Sequence, residues 1–266
     1  ADQTYRYKAA KLIRNSRWNS ASPDAVKLYV LRGGRLPSRV SSQGIAFAKG
    51  LLTADVLPTA KHFPGLGGIT QDPHRTQIIH PMSIQDFTQI QIPVYKKYFE
   101  LQPSAIMMSH LIYKNLDSSM VPATFSQNLI QQQLEKNLNY RGLIISDDLL
   151  MEAAKIDSEF SKIPTKALLA GIDMQMLTWS TISQKMAFES LYQAAQKTPS
   201  VAQLIQKKSS KIRQIKNLLY VQSKKNDSIN GDKQSLEKKF HAFEQQWLNS
   251  WMKLNSTALE SFRKIP

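Results

Sequence analysis

VLPTAKHFPGLGGITQDPH, residues 56–74, starts as an apolar run, reaches Lys61 and His62, and then breaks into a loop. The loop holds glycines at 65, 67 and 68 and ends on Asp72 and His74. A short apolar run ended by a polar side chain is what a strand buried on both faces looks like where it emerges at a rim. The same pattern returns downstream. SAIMMSH (104–110) ends on His110, and GLIISDD (142–148) ends on Asp147 and Asp148. GIDMQML (171–177) is a fourth apolar run of this kind.

Between these runs lie stretches with helical periodicity: 84–100, 126–138 and 165–170. Alternating strands and helices predict repeated βα units around a parallel sheet. Pro93 predicts a boundary or kink in the first helix, and Ser126 reads as the N-cap of the second. His62, His110 and Asp147 each stand at the C-terminal end of a strand candidate. In a (β/α)8 barrel, as in an open α/β sheet, that end carries the chemistry. A lone histidine there reads as a satisfied core residue, and a lone Asp-x-His as a loop ion pair. Several such residues on successive strand ends point to a site.

The 266 residues suffice for one large α/β domain or two small ones. No apolar stretch reaches about 18 residues, which argues against a membrane span. No basic-then-apolar leader opens the chain, and its start at Ala1 rather than Met suggests that something preceding it has been removed. The absence of cysteine excludes disulfides, thiolate metal sites and thiol catalysis. Nothing in the sequence asks for a cofactor. A net charge of +15 suggests attraction to polyanions, such as nucleic acid, anionic lipid or wall polymer. No recognised nucleic-acid motif accompanies it.

Three segments are expected. Residues 1–220 form a barrel-like catalytic domain, 221–233 a polar linker, and 234–266 an amphipathic helix. The basic stretch 198–219 reads as the barrel's last helix. Leu236, Phe240, Phe243, Trp247, Trp251 and Leu254 share one helical stripe, suited to packing on the domain or docking a partner helix.

KHFPGLGGITQDPH (61–74) followed by RGLIISDDLLM (141–151) resembles the family 3 glycoside hydrolases, and within them the β-N-acetylglucosaminidase branch. The family pattern is K-H-F-P-G-H-G, then D-x-H on a loop, then a strand ending S-D-D-L-x-M. The intervening stretches 104–117, 121–148 and 170–177 match in order, so the resemblance runs over about residues 40–220. It implies a TIM-like (β/α)8 barrel and a retaining exo-glycosidase. By residue, it implies Asp147 as nucleophile, His74 as acid/base with Asp72 as its partner, Lys61 and His62 on sugar hydroxyls, and His110 lining the site. The chemistry agrees. A retaining glycosidase needs a carboxylate on one face of the sugar and a proton donor on the other. Strand alternation turns Asp148 away from Asp147.

The implied substrate is terminal N-acetylglucosamine on peptidoglycan-derived saccharides, the implied compartment the cytoplasm, with a periplasmic or secreted product as the alternative. Three departures stand out. Leu66 replaces the second histidine of the turn, Pro73 stiffens the arm, and only sixty residues precede Lys61 where the family carries about three strands. Arg32 or Arg35 in VLRGGRLPSRV (30–40) is a candidate sugar contact. A fragment, a pared-down barrel, or a barrel completed by a partner chain or self-association would each account for the length. A sugar-binding remnant without turnover is the alternative to an enzyme. Phosphorolysis is a second outcome for a histidine acid/base, which repels phosphate less than a carboxylate does.

Overall fold

The structure, a computed structural model, describes residues 37–53, 56–67, 69, 72, 75–157, 159–178 and 180–227. Four strands form one parallel sheet in chain order: β1 (Thr59–Phe63), β2 (Ala105–Met108), β3 (Leu143–Asp148) and β4 (Met174–Met176). Helix α1 (Pro37–Thr53) precedes β1. α2 follows it as one helical run made of Ile84–Asp86, Phe87–Gln91 and Ile92–Phe99. α3 (Asn128–Asn137) joins β2 to β3, and α4 (Ile163–Ala170) joins β3 to β4. α5 (Thr181–Lys197) and α6 (Pro199–Asp227) close the order. Among the described residues these are four parallel strands in chain order with helical crossovers, the repeat expected of a (β/α)8 barrel. Among the described residues the sheet has two edges, β1 and β4.

Local sequence explains most boundaries. Ser83 caps α2 through a capping box with Asp86. Pro93 stands at the expected boundary, which is internal to α2. It falls in the first turn of Ile92–Phe99, directly after Phe87–Gln91 winds with π geometry, so the change of winding absorbs the missing N–H. Ser126 Oγ accepts the Leu129 amide at 2.9 Å, as an N-cap should, although α3 itself is wound as a π-helix. Gly171, at φ 125°, ends α4 in a conformation that disfavours a Cβ.

One correction concerns the C-terminal boundary. The expected linker began at residue 221, but α6 continues to Asp227. No proline or glycine interrupts 200–230, so nothing stops the helix there. The aromatic stripe from Leu236 to Leu254 lies outside the described residues.

The two faces of the sheet pack differently. Phe63, Ile106, Met108 and Ile144 join the main core with Phe87, Tyr95, Tyr98, Leu129, Ile130, Leu134 and Ile163 from the crossover helices. Each fully buried side chain of this kind contributes roughly 1.5–3 kcal/mol. On the opposite face, Ala105 and Leu143, with Leu57 and Ile145 beside them, pack on Ile212 and Ile215 of α6. α6 also pins the start of β4. Lys208 Nζ lies 2.8 Å from Asp173 Oδ1, Lys211 Nζ lies 2.6 Å from Oδ2, and the Asp173 side chain is fully buried. The α6 helix therefore forms a floor at the N-terminal ends of the strands, leaving the C-terminal ends as the open rim.

Candidate active site

Three side chains meet at that rim. His62 comes from β1, His110 from the segment leaving β2, and Asp147 from β3. His62 Nε2 lies 3.0 Å from Asp147 Oδ2, with both side chains about one-fifth exposed. Asp147 Oδ1 accepts the Asp148 amide at 2.9 Å. His110 is 2% exposed, and its Nε2 lies 3.1 Å from the Asp148 carbonyl oxygen.

Two register shifts aim this group. Lys61 pairs with Met107 and Phe63 with Met108, so His62 is one residue extra on β1. On the other side, Ile145 pairs with Met174 and Asp148 with Met176, which gives β3 one extra residue between them. An extra residue bends a strand and redirects the side chains at its end. Both halves of the His62–Asp147 pair sit at such a point.

The electrostatics follow from the contacts. Burial pushes the Asp147 carboxyl up. The hydrogen bond and charge of His62, the Asp148 amide and the charge of His110 pull it down further, to about 2. Asp147 is therefore an ionised carboxylate across neutral pH, partly open to solvent, with a histidine against one oxygen. Such a group can attack an electrophilic carbon or stabilise a developing cation. Burial pushes the basicity of His110 down, ahead of the opposing charge of Asp147. Asp148 is spent on structure: it is 7% exposed, accepts the amides of Leu150 at 2.9 Å and Thr178 at 3.0 Å, and accepts the Thr178 hydroxyl.

The remaining expected residues are less gathered. The Asp72 side chain is half exposed, with Arg75 Nε at 4.0 Å. Lys61 is exposed on β1. His74, Arg32 and Arg35 lie outside the described residues. His62 was expected on sugar hydroxyls, and here it is on the Asp147 carboxylate.

The sequence reading missed the residues that hold the loop at its root. Tyr113 Oη donates to the Gly65 carbonyl at 2.8 Å. His80 Nδ1 accepts the Met82 amide at 3.0 Å, which leaves Nε2–H to donate to the Gly67 carbonyl at 2.8 Å. The two rings stack at 5.1 Å. Gly65, at φ 143°, has the Gln91 side-chain amide where a Cβ would stand, 2.7 Å from Oε1. No local signal marks His80, because its partner is thirteen residues away. A cleft of about 260 Å³ lies beyond the strand end, between Leu149, Leu150, Phe160 and Met186, and neither Asp147 nor His62 lines it. Among the described residues, no cluster of three or more His, Asp and Glu is placed to hold a metal ion. No helix among them is long and apolar enough to cross a membrane.

Comparison with known proteins gives one family. Residues 34–215 match the glycosyl hydrolase family 3 N terminal domain. A beta-hexosaminidase of Idiomarina loihiensis is 35% identical over 141 residues, covering 52% of this chain and 41% of that protein. A beta-hexosaminidase of Nitrosomonas eutropha is 32% identical over 143 residues, 54% of this chain and 40% of its own. The chain thus aligns with about two fifths of the length of these relatives. Among solved structures, a fungal multi-domain GH3 beta-N-acetylglucosaminidase superposes with a TM-score of 0.67 at 26% identity, over 79% of this chain and 25% of that one.

Proposed function

Because the chain belongs to glycosyl hydrolase family 3, we propose that it works as a retaining exo-β-N-acetylhexosaminidase on terminal N-acetylglucosamine of peptidoglycan-derived saccharides. Asp147 attacks the anomeric carbon and forms a glycosyl-enzyme bond as the aglycone oxygen leaves. His74, oriented by Asp72, protonates that oxygen and then takes a proton from the incoming water. Water breaks the glycosyl–Asp147 ester, releasing the sugar with its β configuration and restoring the carboxylate. His110 lines the site, and Lys61, His62 and Arg32 or Arg35 contact the sugar.

The observation that carries this reading is the partly open, ionised Asp147 at the strand rim, with His62 at 3.0 Å. Support for N-acetylglucosamine comes from the beta-hexosaminidases the chain resembles. The net charge of +15 suits anionic wall fragments.

The test is release of nitrophenol from the aryl β-N-acetylglucosaminide, with the product anomer followed by NMR. The reading expects β-product, loss of turnover in Asp147→Ala and a marked loss in His74→Ala. Release that persists in Asp147→Ala would sink it. Added phosphate separates hydrolysis from phosphorolysis, since only the latter yields sugar phosphate.

One observation favours a second reading, in which the chain binds sugar as part of a larger barrel completed by a partner chain or a second copy. β1 and β4 are both edges among the described residues. Sugar binding without turnover, gained back on adding the completing chain, would select it.

A further inference from the structure

We infer that Thr124 and His110 act together as positioning residues for Asp147, the Thr124 hydroxyl donating to Nδ1 of a His110 ring whose proton the Asp148 carbonyl holds on Nε2. The inference rests on the reading of Asp147 as nucleophile.

The Asp148 carbonyl oxygen can only accept, so His110 Nε2, 3.1 Å away, must donate to it. In the neutral ring Nδ1 then carries a lone pair, and it is buried. The Thr124 hydroxyl lies 2.9 Å from it. That hydroxyl has one proton and a second acceptor in reach, the Ser109 carbonyl at 3.0 Å. Ser109 O already receives the Thr124 amide at 3.0 Å. Turning the hydroxyl toward Nδ1 therefore leaves no group unpaired, whereas turning it away strands the ring nitrogen. Burial of the ring favours the same neutral form.

The surroundings leave the ring little choice. Thr124 is fully buried in the short turn Ala123–Phe125, anchored by the Ala123 amide on the Leu111 carbonyl at 2.9 Å. Phe125 stacks on the His110 ring, with centroids 6.4 Å apart. Among the described residues, His62 from β1 and Asp147 from β3 are the charged or titratable side chains facing His110.

The consequence reaches Asp147 through one residue. Asp148 has its carbonyl held by His110, its carboxylate held by Thr178 and Leu150, and its amide directed at Asp147 Oδ1. Without the Thr124 hydroxyl the ring loses one of its two hydrogen-bond anchors, and the backbone of Asp148, next to the nucleophile, loses part of what holds it.

The test pairs imidazole ¹⁵N NMR with kinetics on the full chain. At neutral pH His110 should show a protonated Nε2 and a bare Nδ1. Thr124→Val, close in shape but without the hydroxyl, should shift the Nδ1 resonance, because that nitrogen loses its donor, and lower kcat by about tenfold with KM nearly constant. Thr124→Ser should restore both, and thermal melts should show all three chains folded. A wild-type ring protonated on Nδ1, or a Thr124→Val chain with unchanged Nδ1 resonance and kcat, overturns the inference. An Nδ1 resonance that depends on Thr124, with no turnover in the wild-type chain, upholds the hydrogen-bond placement and overturns the nucleophile reading instead.

Discussion

His62 and Asp147 meet at 3.0 Å although β2 runs between the strands that carry them. They reach one another because each stands where its strand holds one residue more than its neighbour. The contact ties the ionisation of the carboxylate to the imidazole beside it.

His62→Ala should therefore act on rate and on pH together. A hydrogen bond to a charged group contributes about 1.5–3 kcal/mol, so kcat/KM should fall about 10- to 150-fold at neutral pH. With His62 gone, burial dominates and the Asp147 carboxyl rises from about 2. The acidic limb of the kcat/KM profile should move to higher pH. A profile that drops in height without moving would show that His62 only contacts substrate.

The two aspartates of β3 should behave differently. Asp147→Ala should lose turnover, and azide with an activated aryl glycoside should restore product as the glycosyl azide, because azide fits the space a missing nucleophile leaves. Asp148→Ala should lower the melting temperature, since it frees the Leu150 and Thr178 amides, and azide should not restore its turnover. Mass and NMR analysis of the azide product distinguishes them.

Acid stability should fall in two stages. His110 and His80 both titrate below 6.5 in the folded chain, chiefly through burial. The unfolded chain takes up those protons first, so stability should start to decline as pH drops below about 6.5. Asp147 adds the second stage: its folded carboxyl lies near 2 against 3.8 unfolded, so its contribution is full above 3.8 and lost as pH falls toward 2. Urea midpoints from pH 8 to 2.5 check this, and Asp147→Asn should shrink the lower stage, to which Asp117 and Asp157 also contribute, while leaving the upper one.

Asp173→Ala should destabilise the chain without touching the rim. The fully buried carboxylate holds Lys208, Lys211 and the Ile144 amide at 2.8 Å. Removing one partner of a buried pair costs about 3–5 kcal/mol, or a drop of roughly 6–20 °C in Tm for a chain of this size. At a temperature where both are folded, kcat and KM should match the parent.

The βαβ pattern and three of the rim residues were legible because each strand is a short apolar run closed by a polar side chain: His62, His110 and Asp147. The register shifts were not legible, since they are relations between strands. Nor was the Tyr113–His80 grip on the loop root, which depends on contacts thirteen and forty-eight residues apart. Helix α5 escaped notice for another reason. Ile182, Phe188 and Tyr192 on it are exposed, so its apolar residues do not trace a buried stripe. α1 carries Ser41, Ser42 and Gly44 in mid-helix, which weakens the local signal.

The surplus residues in β1 and β3 have a consequence for how the site can change. Below each of them the sheet keeps its alternation in Thr59–Lys61 and Leu143–Ile145, whatever stands above. Strand tips can thus be exchanged for tips of different composition or length without turning the buried body inside out. A change in the chemistry of the rim would be grafted there, on a few residues past the kink, while the scaffold beneath stays as it is.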